Sequence, residues 1–128
     1  MNNGNLVFFC GKMGSGKSTR SKQVATERNA VLISEDEWLA TLYPGEISTF
    51  DEYLHFSKRL KPLVQARMEN ILRTGTTVVM DFAANSERQR KWFKQIISNA
   101  ESPYEFYYLK VSDEICLKQI AKRQTEQP

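Results

Sequence analysis

The sequence has no long hydrophobic stretch. Its longest apolar runs reach about five residues, whereas a membrane-spanning helix needs roughly 20. Residues 1–5, MNNGN, lack the basic segment and apolar core of a secretory signal. The only cysteines are Cys10 and Cys116, which favours reduced thiols in a cytoplasmic protein over a disulfide framework. We therefore expect neither a membrane protein nor a disulfide-stabilised secreted domain.

A strong excess of one charge is also lacking. The chain has 18 Lys+Arg and 15 Asp+Glu, and the resulting formal net charge of +3 is too small to indicate nucleic-acid binding by itself. With 41% hydrophobic and 26% charged residues, the composition is that of an ordinary globular domain. The length of 128 residues suits one domain. We predict a single domain over residues 1–128.

Short apolar segments alternate with amphipathic segments along the chain. This order predicts an α/β fold, in which a parallel sheet of four strands, or five in the intact protein, is covered by helices on both faces. Pro62 is expected to kink or split the longest helix. Ser34 and Glu37 have the spacing of a capping box at the start of a short helix. The other predicted elements are strands at 6–10, 31–33, 76–80 and 104–111 and helices at 17–28, 51–73, 87–99 and 113–123.

The first predicted strand runs into a phosphate-loop motif. Residues 11–18 read GKMGSGKS and match G-x-x-x-x-G-K-[ST] in full, at the start of a predicted helix. Glycines allow consecutive backbone N–H groups to face phosphate oxygens, and the helix N-terminus adds partial positive charge. Lys17 is expected to reach the β- and γ-phosphates, and Ser18 to ligate Mg²⁺. A merely flexible glycine-rich turn is the alternative. The predicted nucleotide-binding residues are Gly11, Met13, Gly14, Ser15, Gly16, Lys17, Ser18 and Thr19.

Carboxylates follow the second and third predicted strands. Asp36 could accept the proton of a hydroxyl that attacks phosphorus, although any acidic residue is also favoured in the first turn of a helix. We interpret Asp36 as functional and its neighbours Glu35 and Glu37 as helix-capping residues. Asp81 ends an apolar strand, as does the Mg²⁺-holding aspartate of Walker-B strands. The alternative for Asp81 is a turn aspartate.

Two further patterns have structural and functional interpretations. Residues 88–94, RQRKWFK, interleave basic and aromatic side chains, which could indicate a polynucleotide acceptor. An ordinary amphipathic helix explains them more simply. An aromatic group between the second and third strands could stack on a base or ring, but core packing is the favoured interpretation. Its members are Trp38, Tyr43, Phe50, Tyr53 and Phe56.

Three segments together resemble a group of small P-loop kinases: GKMGSGKS, residues 33–36 (ISED) and residues 81–90 (DFAANSERQR). The group includes zeta toxins, chloramphenicol phosphotransferase, the kinase domain of polynucleotide 5′-kinases and many predicted ATP-binding proteins of the AAA type. The resemblance covers roughly Leu6 to Arg123. The family usually has a fifth strand and a full lid, so this chain is expected to lack a complete C-terminal lid.

The resemblance implies roles for individual residues. Asp36 falls at the position of the family's catalytic base. The segment with Asp81, Asn85 and Arg88 falls where the family contacts acceptor and phosphates. Arg123 falls near the lid, whose arginines touch the phosphates of ATP.

We predict an ATP-binding kinase that transfers the γ-phosphoryl group of Mg-ATP to a hydroxyl. The expected acceptor is a small molecule or a polynucleotide end, with nucleic acid not favoured and no membrane partner expected. A nucleotide-binding regulatory module without phosphotransfer is one alternative, and an ATPase or GTPase switch is another. Oligomeric state is left open. The predicted catalytic residues are Asp36, Lys17, Arg88 and Arg123, and the predicted Mg²⁺ ligands are Ser18 and Asp81.

Overall fold

The computed structural model describes residues 3–11 and 16–109. Its elements follow the predicted alternation of strands and helices, while the predicted helix at 113–123 and the predicted strand end at 110–111 lie outside the described residues. The elements are β1 (Leu6–Gly11), α1 (Lys17–Arg28), β2 (Val31–Ser34), α2 (Glu35–Leu42), α3 (Phe50–Arg73), β3 (Val78–Asp81), α4 (Glu87–Ala100) and β4 (Tyr104–Leu109).

The four strands form one parallel sheet in the order β2-β3-β1-β4. Strand β1 occupies an inner position, and its Leu6 is in register with Val78 of β3 and with Tyr104 of β4. Because the strands are parallel, their carboxyl ends lie at the same edge of the sheet. The predicted fold class is confirmed.

The side chains of β1 alternate between two cores. Leu6 and Phe8 pack on the face that also buries residues of α2, α3 and α4. Val7 and Phe9 pack on the opposite face, together with residues of α1. Burial on both faces explains why this strand is apolar without alternation, as is usual in parallel sheets. It also places α1 and α4, which follow the neighbouring strands β1 and β3, on opposite faces.

Helix α3 continues through Pro62 as one element of 24 residues, so of the two expected effects, a kink or a split, the split does not occur. Proline removes one backbone hydrogen bond. The helix nevertheless buries a continuous stripe, and such packing supplies most of the stability of helices in proteins. The stripe consists of Leu60, Val64, Met68 and Leu72.

The capping box predicted at Ser34 and Glu37 does not form. Ser34 is the N-cap of α2, but its side chain makes no cap hydrogen bond. Its hydroxyl instead points to Asp81 Oδ2 at 3.4 Å, because β2 and β3 are neighbours in the sheet. Two capping boxes form elsewhere, at residues 49–52 of α3 and 86–89 of α4. Both match the spacing that the sequence rule requires.

The third strand begins at Val78 rather than at Thr76, two residues later than predicted. The backbone of Gly4 passes so close to Thr76 that a Cβ atom on Gly4 would lie 1.9 Å from the Thr76 carbonyl oxygen. Such a contact excludes any side chain at position 4. Among the described residues, no helix is both long and apolar enough to cross a membrane.

One exposed ion pair connects α1 with β4. The guanidinium of Arg28 donates two hydrogen bonds to the Glu105 carboxylate, at 2.5 and 2.6 Å, and the Tyr107 hydroxyl donates another. These contacts, with the Arg28 bond as the largest cause, lower the pKa of the Glu105 carboxyl from 4.5 to about 2. The pair therefore stabilises the fold above pH 4.5, and that contribution is lost as the pH falls towards 2.

We expect Arg28→Gln to flatten the acid limb of the stability curve between pH 4.5 and 2. Since 37% of the Arg28 side chain and 28% of the Glu105 side chain are exposed, solvent screening limits the loss near neutral pH to about 1 kcal/mol or less. Urea unfolding at several pH values measures the effect. Arg67→Gln, which removes an exposed guanidinium from α3, is the matched control and should leave the pH dependence unchanged.

Candidate functional site

The two ends of the phosphate-loop motif have the predicted context, one at the end of a buried strand and the other at the start of a helix. Gly11 is the last residue of β1, and Lys17 is the first residue of α1. Gly16 precedes the helix with a φ of 90°, a left-handed conformation that favours glycine. Thr19 lies in the first turn of α1. The predicted loop residues Met13, Gly14 and Ser15 lie outside the described residues.

The two predicted metal ligands are in direct contact. The Ser18 hydroxyl donates a hydrogen bond to Asp81 Oδ2 at 2.9 Å, across a separation of 63 residues in sequence. Asp81 is buried, and the Ser34 hydroxyl approaches the same oxygen. The sheet produces this contact because β1 and β3 are paired, so that the helix after β1 starts beside the end of β3.

These groups fit the coordination that Mg²⁺ prefers. A hydroxyl and a carboxylate are hard oxygen ligands, and Mg²⁺ is usually held by one or two protein oxygens together with phosphates and water. In the described residues there is no cluster of three or more His, Cys, Asp or Glu that could hold a metal ion alone. The Ser18–Asp81 pair is thus suited to a metal that arrives with a nucleotide.

Asn85 supports the beginning of the phosphate loop from the segment after β3. Its Oδ1 accepts a hydrogen bond from the backbone N–H of Gly11 at 2.9 Å and from the Cys10 thiol at 3.2 Å. The family resemblance pointed to Asn85 as a phosphate or acceptor contact. In the structure its amide oxygen is used for the backbone of Gly11. No local pattern around Asn85 indicates this bond, since it depends on the pairing of β1 with β3.

Asp36 lies in the first turn of α2, directly after β2. Its side chain is exposed, so its carboxylate is accessible to a substrate. The end of β2 is next to the end of β3, where Ser34 is in register with Asp81. Asp36 therefore belongs to the same edge of the sheet as the Ser18–Asp81 pair.

The neighbouring Glu35, interpreted from the sequence as a helix-capping residue, is buried, and its carboxylate is bonded to side chains of α3. Only 4% of Glu35 is exposed, and its carboxylate accepts hydrogen bonds of 2.5 Å from the hydroxyls of Tyr53 and Ser57. Burial and the bond to Glu35 raise the pKa of the Tyr53 hydroxyl, so it remains a donor. The only sign of these bonds in the sequence is that Tyr53 and Ser57 are polar and four residues apart. This spacing puts them on one face of α3, which faces α2 after folding.

The aromatic segment between β2 and β3 contributes mainly to packing, as the favoured interpretation predicted. Four of its members are partly buried against the core between the sheet and helices α2, α3 and α4: Trp38, Tyr43, Tyr53 and Phe56. Phe50 is the exception, because 71% of it is exposed.

Arg88 is exposed on the first turn of α4 and lines a cavity between α3 and α4. Two lysines of α3, Lys58 and Lys61, line the same cavity. No local pattern in the sequence indicates these lysines, because α3 and α4 are separated by the whole of β3. Arg123, the other predicted arginine, lies outside the described residues.

We expect Tyr53→Phe to lower the free energy of unfolding by about 1–3 kcal/mol, because it removes a hydrogen bond from a buried carboxylate. Chemical denaturation of the two proteins measures this change. Tyr104→Phe removes a hydroxyl that makes no hydrogen bond with the described residues, so it is the matched control. Equal stability of the Tyr53 variant and the wild type would contradict the assigned role of Glu35.

Solved structures similar to this chain include several kinases. A candidate kinase from Chloroflexus aurantiacus has a TM-score of 0.81 and 18% identity, over 96% of this chain and 68% of that chain. A chain of the Pnkp1/Rnl/Hen1 complex has a TM-score of 0.76 and 21% identity, over 93% of this chain and 40% of that chain. The APS kinase CysC of Mycobacterium tuberculosis, in complex with AMPPNP and APS, has a TM-score of 0.67 and 16% identity, over 95% of this chain and 71% of that chain.

At these identities the likeness shows a shared P-loop kinase-like fold. No curated protein matches this sequence at a significant level. A family model described as an AAA domain, AAA_33, matches residues 6–128, which is nearly the whole chain and contains every element of the site. The chain belongs to this family of AAA domains.

Proposed function

We propose that this protein is an ATP-dependent kinase that transfers the γ-phosphoryl group of Mg-ATP to a hydroxyl acceptor. The observation that carries the proposal is the 2.9 Å contact between Ser18, in a complete phosphate-loop motif, and Asp81 at the end of the neighbouring strand. This pairing of a loop hydroxyl with a strand-end carboxylate is the arrangement that holds Mg²⁺ in P-loop enzymes. The kinase neighbours support the proposal at the level of the fold.

In this proposal the phosphate loop binds ATP. Lys17 contacts the β- and γ-phosphates, and Gly16, Thr19 and the rest of the loop supply backbone N–H groups. Gly11 contributes as the start of the loop, because its own N–H is donated to Asn85. The first turn of α1 contains no acidic residue that would repel the phosphates. The Asn85 bond to Gly11 holds the start of the loop in place. A cytoplasmic location belongs to the same proposal, supported by the buried free thiol of Cys10.

Ser18 and Asp81 would hold Mg²⁺ together with the phosphates of the nucleotide. When bound, the ion would neutralise negative charge on the β- and γ-phosphates. The Ser34 hydroxyl, 3.4 Å from Asp81 Oδ2, orients the carboxylate without being a ligand itself.

Asp36 is the proposed catalytic base. It accepts the proton of the acceptor hydroxyl while a bond forms between that oxygen and the γ-phosphorus, and the bond from the γ-phosphorus to the bridging oxygen of ADP breaks. Arg88 is proposed to stabilise the charge on the transferring group. Arg123, outside the described residues, keeps the same proposed role from the family resemblance.

Nucleotide binding is tested by thermal unfolding with and without Mg-ATP. Ligand at 100 times its dissociation constant adds about 2.7 kcal/mol, which corresponds to a rise in Tm of roughly 5–15 °C for a domain of this size. We expect the wild type to show this rise and Lys17→Ala to lose it. Lys22→Ala, an exposed lysine one turn further along α1, is the matched control. If neither ATP nor GTP raises the Tm of the wild type, the nucleotide site is refuted.

Phosphoryl transfer is tested with labelled ATP and a panel of sugar, antibiotic, nucleoside and polynucleotide acceptors. We expect Asp36→Asn to reduce transfer by about 100-fold or more while it keeps the thermal shift with Mg-ATP. Glu37→Gln removes another exposed carboxylate from the same helix turn and should retain activity. Binding without transfer to any acceptor would favour the regulatory module, and nucleotide hydrolysis with a GTP preference would favour the switch.

The metal site is tested by the Mg²⁺ concentration that gives half of the ATP-induced rise in Tm. We expect Asp81→Asn to raise this concentration by about tenfold or more, because the amide has no charge to offer the ion. Asp81→Asn should still bind ATP in EDTA as the wild type does. This control separates a weakened metal site from misfolding of the variant. Ser34→Ala, which removes only the neighbouring hydroxyl, should have a small effect. An unchanged Mg²⁺ requirement in Asp81→Asn would contradict the assignment.

A further inference from the structure

A cavity of about 470 Å³ lies between α3 and the beginning of α4. Its volume falls in the range of small-molecule sites in proteins. Three of its lining residues are cationic and come from both helices: Lys58, Lys61 and Arg88. Its lining residues include no carboxylate. The cavity thus concentrates positive charge in a concave, partly apolar site.

These three cations have no acidic partner in the part of the chain that the structure describes. The ion pairs found there involve Arg28 and Arg73 instead. Like charges on facing helices repel one another, and low-dielectric walls focus their field into the cavity. An anion bound between them would remove this repulsion, whereas an uncharged ligand would leave it in place.

Trp92 forms an aromatic wall that holds one of the lysines. The Lys61 ammonium lies 5.2 Å from the centroid of the Trp92 ring, within the range of a cation–π contact. The indole N–H donates to Gln65 Oε1 at 3.0 Å, which fixes the orientation of the ring. The cavity is therefore organised before a ligand arrives, and the ring lies where a ligand would change its fluorescence.

Both sides of the cavity are connected to the proposed catalytic edge. Ser57, which lines it, donates to the carboxylate of Glu35, and Glu35 precedes the proposed base Asp36. Ser86, which lines it on the α4 side, follows Asn85, whose side chain binds the backbone of Gly11. The cavity lining is thus one hydrogen bond away from the residue before Asp36, and it includes the residue after Asn85.

We propose that this cavity is the acceptor site and that the acceptor is a small molecule with a phosphate or similar oxyanion group. Lys58 and Lys61 bind the oxyanion, and the acceptor hydroxyl extends towards Asp36. The inference rests on the proposed kinase function, but binding of the oxyanion can be measured without phosphoryl transfer.

The test uses Trp92 as the reporter. The chain has two tryptophans, so Trp38→Phe leaves Trp92 as the single fluorescent indole. Saturating Mg-AMPPNP first fills the phosphate loop, and its own thermal shift verifies that site. Ribose 5-phosphate and ribose are then titrated separately. We expect ribose 5-phosphate to change the Trp92 fluorescence in a saturable manner and ribose to have no effect.

The double variant Lys58→Gln/Lys61→Gln should raise the dissociation constant for ribose 5-phosphate by about tenfold or more and keep the AMPPNP shift. Lys94→Gln, which removes an exposed lysine of α4 outside the cavity lining, is the matched control and should bind as the background protein does. With an active acceptor, the double variant should raise the KM for that acceptor and leave the KM for ATP unchanged.

The possible failures are distinguishable. A normal AMPPNP shift without any response to ribose 5-phosphate overturns the acceptor-site inference and leaves the kinase proposal intact. An equal response in the double variant overturns the assignment of the lysines. A response to a 5′-phosphorylated oligonucleotide but not to ribose 5-phosphate overturns the small-molecule class. A missing AMPPNP shift counts against the kinase proposal itself.

Discussion

The burial of β1 on both of its faces is the constraint on which the rest of the structure depends. Because β1 lies between β3 and β4, the helices that follow β1 and β3 cover opposite faces of the sheet. Such a divergence opens a crevice at the carboxyl ends of the two strands, where ligands of parallel sheets bind. The phosphate loop begins at this point. The apolar core therefore fixes the position of the polar site.

At that edge, the polar groups at and just after the strand ends form hydrogen bonds with one another. The Asp81 carboxylate is contacted by the hydroxyls of Ser18 and Ser34. Asn85 accepts from the backbone of Gly11. Buried polar groups are costly without such partners. These bonds therefore stabilise the fold and also hold the oxygen atoms in an arrangement that suits a metal ion and phosphates.

Two adjacent carboxylates have different environments at the start of α2. Glu35 is buried and bonded to Tyr53 and Ser57 of α3, whereas Asp36 is exposed. The buried residue anchors the helix to α3, and the exposed residue is free to meet a substrate. Because the same helix α3 carries Lys58 and Lys61, its docking through Glu35 also positions the cationic wall of the cavity.

The amino-acid sequence by itself determined the fold class and the phosphate-loop position, because both depend on local signals: apolar runs, helical periodicity and the spacing of glycines before Lys17. It also determined that Asp81 follows a buried strand. Only the tertiary structure decided what these residues contact. The capping box expected at Ser34 does not form, because strand pairing brings Asp81 to its hydroxyl. The burial of Glu35 and the gathering of cations from α3 and α4 depend on which helix faces pack together, and no local spacing encodes that choice.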